Sequence, residues 1–336
     1  MAQVKLDKKD MMILFELDMD CRQSDAGIGR KVGLSREVVN YRIRNLIRRQ
    51  VIERFYVIID VARLGLISYK LYLQFQNLNR EKEKEISSFF LNHPNYEWLA
   101  LCSGGWDMII GIWAENTHKF NEIFMEFSDR YGQYVMNKAF TITLGLPHYR
   151  KEYLVGKKVA TEPSVYFGGK PKKEKLDSID MAILRILANN ARMPLVDIAK
   201  RVKSSARVVA YRIRELQRKK VIQAFRVTID HKKIGMMFMK AFFFLQNISE
   251  KTMSRFISYC ATHPNIVTVI QCAGPWDIEI EFEIEDHERF DRTMKEIREL
   301  FGGFIRGVNS VIVHEDYGGT RYYPGCYGKI DRIYKG

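Results

Sequence analysis

Tyr41-Arg42-Ile43-Arg44 recurs as Tyr211-Arg212-Ile213-Arg214, and the offset of 170 residues organises the whole chain. Shifted by that amount the sequence matches itself without a gap. Leu6-Asp7 falls on Leu176-Asp177, Val51-Ile52 on Val221-Ile222, His93-Pro94-Asn95 on His263-Pro264-Asn265, and Trp106-Asp107 on Trp276-Asp277. Solenoid repeats run about 20–50 residues, so a period this long is a duplicated domain pair.

The pattern around each copy is helical. Residues 7–22 read as an amphipathic helix with Met11, Ile13, Leu14 and Leu17 on one side. A short helix from Ser24 to Val32 follows, then the turn Gly33-Leu34 and Ser35 as N-cap of a third helix, Arg36 to Gln50. That third helix turns Val39, Ile43 and Leu46 inward and shows Arg36, Asn40, Arg44 and Arg48 on its other face. Helix, helix, tight turn and an Arg-bearing helix is the helix-turn-helix pattern, whose last helix enters the major groove of double-stranded DNA. The second copy predicts helices over 179–192, 194–202 and 206–220, with Arg207, Arg214 and Arg218 outward. Ala210 replaces Asn40, and Lys203-Ser204 replaces Gly33-Leu34. Arg42 and Arg212, at a more inward angle, are expected to pair within the fold.

Each repeat then changes period. Val51 to Ile59 reads as a strand, followed by strand 68–76, helix 80–91, strands 96–103 and 106–114, helix 117–130 and strand 134–144. The order βαββαβ is that of a ferredoxin-like domain, and the second copy repeats it from 238 to 314. Phe238 to Leu245 is apolar on both faces apart from Lys240, so one face is expected under helices and the other against a second sheet, which the duplicate supplies. The fold class is α+β: two copies of a winged helix-turn-helix followed by a ferredoxin-like domain. The boundaries are 1–60 and 61–146, a basic linker over 147–175 that reads as an extended connection, 176–230 and 231–317, and a Tyr/Gly-rich tail over 318–336.

The net charge of +14 divides along these boundaries. Residues 1–60 carry 12 Lys+Arg against 9 Asp+Glu and residues 176–230 carry 12 against 5, whereas 61–146 and 231–317 are both slightly acidic. Charge that served only solubility would not segregate in this way; it points to a polyanion touched by the helical heads. The chain has 5 cysteines and no CxxC pair, which fits a reducing cytoplasm. The N-terminus lacks the apolar core of a secretory signal, and no apolar run approaches the ~18 residues of a membrane span. No metal-ligand spacing, phosphate loop or nucleophile motif stands out, so neither a metal nor a cofactor is expected.

With these marks the chain resembles the Lrp/AsnC (feast/famine) transcriptional regulators. The resemblance rests on Leu6-Asp7, Arg42-Ile43, Val51-Ile52 and the turn Gly104-Gly105-Trp106-Asp107, and again on Leu176-Asp177, Arg212-Ile213, Val221-Ile222 and Gly274-Pro275-Trp276-Asp277. It implies a DNA-binding regulator that contains its own pseudo-dimer and associates further. It also implies that Gly104, Asp107, Gly274 and Asp277 help bind a small amino acid, with glycine letting the backbone approach and aspartate accepting from an ammonium group. The plainer alternative for these turns is a hairpin closed by Asp with Trp as core. Cys102 and Cys272 are expected as buried thiols rather than a redox pair, and His93 and His263 as helix-end caps.

Two rival readings share the fold. Siroheme decarboxylases look similar in both domains, but such a site needs a cavity between sheets lined by His and Arg, and the strands offer only His314 and Arg306. A protein-interaction module with vestigial DNA heads is the other.

Overall fold

A computed structural model describes residues 3–156 and 165–317. The tail 318–336 and linker residues 157–164 lie outside the described residues. In the first repeat, helices α1 (Lys8–Met19), α2 (Asp25–Val32) and α3 (Arg36–Arg48) precede strand β1 (Ile52–Ile59). There follow β2 (Ile67–Phe75), α4 (Arg80–Asn92), β3 (Tyr96–Gly104), β4 (Met108–Ala114), α5 (Thr117–Tyr131) and β5 (Val135–His148). The short strand β6 (Val165–Gly168) lies in the connection. The second repeat gives α6 (Ser178–Asn189), α7 (Leu195–Arg201), α8 (Ala206–Arg218), β7 (Ile222–Ile229) and β8 (Met237–Leu245). It ends with α9 (Glu250–Thr262), β9 (Ile266–Ala273), β10 (Ile278–Ile284), α10 (His287–Phe301) and β11 (Ile305–Asp316).

The two heads are built across each other. β1 pairs antiparallel with β7, from Ile52 opposite Ile229 to Ile59 opposite Ile222. Helix α1 lies on β7 and α6 on β1. One hydrophobic cluster therefore spans both heads, holding Ile13, Leu14, Leu17, Ile43 and Leu46 together with Ile183, Leu184, Leu187, Ile213 and Leu216. The loop after α1 donates from Cys21 N to Phe225 O, and the loop after α6 repeats the bond from Ala191 N to Phe55 O. Each head thus completes its core with the other's strand.

The ferredoxin-like halves join edge to edge as well. Within each half the order is β5-β2-β4-β3 and β11-β8-β10-β9. The last strands are long enough to leave their own half: β5 pairs with β2 through Ile142 and then with β9 through His148. β11 does the same, running along β8 through Val313 and along β3 from Val311 to Asp316. Eight strands consequently close into one barrel, with β6 added on the outside of β5. The expected second sheet is present, but it closes the first at both edges as well as covering it.

Alternation along the strands sorts side chains between the helix-covered exterior and the barrel interior. On β2, Tyr69, Leu71 and Leu73 pack under the helices while Lys70 and Tyr72 point inward; on β8, Lys240 and Phe242 do the same. Lys70 and Lys240 are counterparts across the repeat, and both are buried. Between them Glu279 accepts from Lys70 at 2.9 Å, from Lys240 at 2.7 Å, from Trp276 Nε1 at 3.2 Å and from the Tyr72 hydroxyl. Lys240 also meets Glu281 at 3.0 Å and lies 5.0 Å over the Trp98 ring. Burial alone would raise the Glu279 carboxyl, but the two ammonium groups hold it well below the usual carboxylate range. The counterpart of Glu281 is Gly111, and there the Glu97 side chain crosses instead; a Cβ at Gly111 would sit 2.9 Å from Glu97 Oε2.

The described part of the linker is docked, in contrast to the extended connection expected over 147–175. Arg226 pairs with Asp18 of α1 at 2.5 Å and donates to Tyr149 O at 3.2 Å. Lys151 and the Tyr153 hydroxyl both bind Glu283 of β10, and Leu154 enters the head core. Lys172 and Glu174 donate their amides to Ala62 O and Arg63 O. The lysines and glycines that read as solvated chain are interleaved with Tyr149, Tyr153, Leu154 and Val165, which are enough to anchor it.

Two measurements check this core. Glu279→Gln removes the carboxylate that Lys70 pairs with and leaves buried Lys240 with Glu281 alone; it is expected to cost about 3–5 kcal/mol in urea unfolding, and a loss below about 1 kcal/mol would contradict the assigned geometry. Burial pushes His148, 3.0 Å from Thr268 Oγ1, down to about 3, and His263 down to about 4. Below the ordinary histidine value of about 6.5 the unfolded chain binds protons that the folded chain refuses, so stability falls as pH drops from about 6.5 towards 4. His263→Asn should flatten that slope, and an unchanged slope would count against a buried neutral imidazole.

Candidate nucleic-acid interface and ligand turns

The two third helices are set by the same devices. Ser35 caps α3 by accepting from Val38 N, and Ser205 caps α8 by accepting from Val208 N. Gly33 ends α2 in the left-handed region at φ +66°, and Lys203 takes the same conformation at φ +51° despite its side chain. Gly29 has a separate role: a Cβ there would lie 2.5 Å from Leu34 O, so its absence lets the turn approach the helix. Val39, Ile43 and Leu46 are buried under α3, and Val209, Ile213 and Leu216 under α8.

Arg42 and Arg212 pair within the fold. Arg42 Nη1 reaches Asp7 at 2.8 Å and Asp10 at 2.7 Å; Arg212 Nη1 reaches Asp177 and Asp180, both at 2.8 Å. These acids are also the capping boxes of α1 and α6. The arginine therefore ties the reading helix to the first turn of the head.

The outward stripe differs from the expected set in two respects. Arg36, Arg44, Arg48, Arg207, Arg214 and Arg218 are all exposed. Asn40 is half-buried, and its Nδ2 donates to Asp25 Oδ2 at 2.8 Å, while Arg192 of the second repeat holds the other oxygen of Asp25 at 2.7 Å. To read an adenine edge with both donor and acceptor, Asn40 has to give up Asp25. Tyr41 and Tyr211, 66% and 56% exposed, sit in the centre of the stripe beside the arginines, and sequence reasoning passed over them. Their spacing of three and seven residues from Arg44 and Arg48, and from Arg214 and Arg218, was the available signal. Arg48 and Arg218 are steadied by Asn45 and Glu215 one turn back.

The barrel turns carry the other expected residues. Asp107 N donates to Leu73 O and its Oδ2 accepts from Phe75 N at 2.7 Å; Asp277 repeats both bonds with Phe243 O and Leu245 N. Each aspartate therefore clamps the end of the neighbouring strand. Trp276 is buried in the barrel against Tyr72 and Phe242, with Trp106 beside it. Gly104 and Gly274 approach the last strand of the opposite repeat: a Cβ would lie 2.8 Å from Ser310 O or 2.7 Å from Phe140 O. Beside Gly274 a hollow of about 610 Å³ opens, lined by Tyr69, His118, Phe120, Phe124, Thr141 and Ala273. Its counterpart, lined by Phe290, Met294, Lys295, Arg298 and Ser310, measures about 210 Å³.

The remaining candidates are structural. Burial pushes the Cys102 thiol up to about 12 and raises that of Cys272, whose Sγ donates to Trp276 O; both are free. His93 and His263 accept from Asn95 N and Asn265 N through Nδ1 and fix the turn after their helices. His314 and Arg306 are exposed on β11, His314 against Ser103, so neither lines the barrel interior. Among the described residues no group of three or more His, Cys, Asp or Glu is placed to hold a metal ion, and no helix is long and apolar enough to cross a membrane.

An AsnC-type helix-turn-helix domain model matches twice, at residues 6–47 and 176–217. The HTH-type transcriptional regulator LrpC of Bacillus subtilis is 30% identical over 139 residues, 41% of this chain and 94% of that protein. The chain belongs to the Lrp/AsnC family. The HTH-type transcriptional regulator FL11 of Pyrococcus horikoshii is 28% identical over 149 residues, 44% of this chain and 96% of its own length. A two-unit architecture of this kind is also known: the crystal structure of the siroheme decarboxylase NirDL aligns over 96% of both chains with a TM-score of 0.62. At 11% identity that likeness concerns the fold alone. Relative to the Lrp/AsnC proteins matched here, nearly whole over about two-fifths of this chain, the present member carries two such units in tandem.

The two arginine types are separable by experiment. Arg42→Ala is expected to lower thermal or urea stability by about 1 kcal/mol through the lost ion pairs and packing, while the salt dependence of DNA binding stays as in the parent. A change in that dependence with stability intact would reverse the assignment.

Proposed function

We propose that this chain is a DNA-binding transcriptional regulator that places two reading helices, α3 and α8, on one duplex from a single polypeptide. The observation that carries this reading is the repeated exposed stripe Tyr41, Arg44, Arg48 and Tyr211, Arg214, Arg218, on helices whose buried faces, caps and buttressing arginines coincide. Two such helices on a shared core suit successive major-groove segments about 34 Å apart. The basic charge of the heads, against the acidic barrel halves, supports a partner contacted by the heads. Arg36, Asn40 and Arg207, on the earlier turns, supply the contacts that differ between the units.

The proposal includes an effector of amino-acid type at the barrel. Ala273, the neighbour of Gly274, lines the larger hollow, and Ser310, whose carbonyl faces Gly104, lines the smaller one; Asp277 and Asp107 follow in the same turns. There the glycine backbone comes within reach of a ligand, and the aspartate positions the turn. A ligand in the hollow would touch α5 and β5 of one repeat and the turn of the other, so it would bear on the closure that fixes the heads. Further association of chains into homo-oligomers fits the family. The decarboxylase reading is set aside: the barrel interior is occupied by Lys70, Lys240, Glu279 and Glu281 in mutual ion pairs, an arrangement unsuited to a polycarboxylated tetrapyrrole.

Fluorescence anisotropy on duplex DNA over a salt series tests the reading. Binding should weaken linearly in log–log form, and Arg44→Ala or Arg214→Ala should each reduce the slope by about 1. Salt-independent binding, or slopes untouched by both variants, would sink it.

A further inference from the structure

We infer that the chain reads a non-palindromic operator, with Glu37 on α3 and Arg207 on α8 selecting different bases at equivalent positions of the two half-sites. This rests on the DNA-binding reading above. Pairing of β1 with β7 relates the heads by a local pseudo-twofold, and a symmetric pair of helices on such an axis would call for a palindrome.

The two helices share their pose and differ in one patch. Buried residues, serine caps and the Arg42 and Arg212 ion pairs are common to both, as are the exposed Tyr41/Tyr211, Arg44/Arg214 and Arg48/Arg218. The changes in the first five residues are Arg36 to Ala206, Glu37 to Arg207 and Asn40 to Ala210. The early part of a recognition helix is the part that meets base edges, whereas later turns contact phosphates. Common phosphate contacts with divergent base contacts make one docking geometry with two sequence preferences.

The chemistry at 37 and 207 is opposed. Glu37 is exposed, and its own backbone amide and the Ser35 hydroxyl hold its carboxyl below the usual range. An ionised carboxylate only accepts, and its partner in the groove is the cytosine N4 amino group; a guanidinium only donates, and its partner is guanine O6 and N7. A palindrome presents the same base to both helices at the pseudo-equivalent position. The base that gives a carboxylate its best contact is not the base that gives a guanidinium its bidentate one, so a palindrome leaves one of the two without its preferred partner. Asn40 adds to the difference, since the chain Arg192–Asp25–Asn40 orders the first repeat alone, where the second has Ala210.

In vitro selection from a randomised duplex library with the full chain tests this, followed by titration of three duplexes built from the enriched halves: left–right, left–left and right–right. The left–right duplex is expected to bind about 10-fold or more tightly than either symmetric one. Glu37→Arg should shift preference at one left-half base towards the right-half base, and Arg207→Glu should do the reverse. Because both substitutions are on exposed first turns, either alone suffices if the other impairs folding. A palindromic enriched motif, or base preference unchanged in both variants, would overturn the inference while leaving DNA binding intact. Failure to enrich any motif, with no salt-dependent affinity, would overturn the DNA-binding reading and this inference with it.

Discussion

Everything in this chain depends on the antiparallel contact between β1 and β7. A three-helix head of about 50 residues has little core of its own, and here each head borrows the strand of the other to cover α1 or α6. The apolar side chains of both heads merge into one cluster, and the reading helices become two faces of one body. In a homodimer the same contact would be bought with association entropy; covalent duplication raises the effective concentration of one unit for the other. It also frees the two units from identity. Once joined, each recognition helix can vary without the other, and the differences at residues 36, 37 and 40 are of that kind.

The barrel repeats the arrangement on a larger scale. β5 and β11 each begin on their own half and end on the other, so neither half keeps an open edge at that junction. The interior is closed by charge as well as by aromatics. Two lysines related by the duplication converge on carboxylates that come only from the second repeat, Glu279 and Glu281, while Gly111 leaves room for Glu97. A like-for-like duplicate would have placed ionic groups in matching pairs. The observed cluster balances positive and negative groups only when the two repeats are taken together, so the halves have become dependent on each other. Lys151 and Tyr153 on Glu283, with Arg226 on Asp18, carry this dependence from barrel to head on one side.

Much of this was legible in the sequence. The offset of 170, the order of elements and most boundaries to within two or three residues follow from helical and strand periodicity, because faces and caps are local properties. What was not legible is non-local. Periodicity shows that the two faces of β8 are buried but not that β11 leaves it to join β3. Lys240 stood out in an apolar strand, yet nothing local named Glu279 as its partner, and Lys70, between Tyr69 and Leu71, drew no notice. The linker's Val165-Tyr166-Phe167-Gly168 was hidden by the glycines and lysines around it. At the candidate interface the arginines were visible from spacing, whereas the engagement of Asn40 by Asp25 depends on a residue of α2 and on Arg192, 167 residues away from that aspartate. Tyr41 and Tyr211 were in plain view in the repeated tetrapeptide, and reading the tetrapeptide as a marker of duplication obscured them as surface.

The central claim is that one chain is a complete two-headed reader. Hydroxyl-radical footprinting on a duplex carrying a single bound site, titrated up to one chain per duplex, addresses it most directly. The account predicts two protected segments on one face of the DNA, centred about one helical turn apart, appearing together as the first chain binds. A single protected segment, or a second one that appears only when another chain is added, would contradict it.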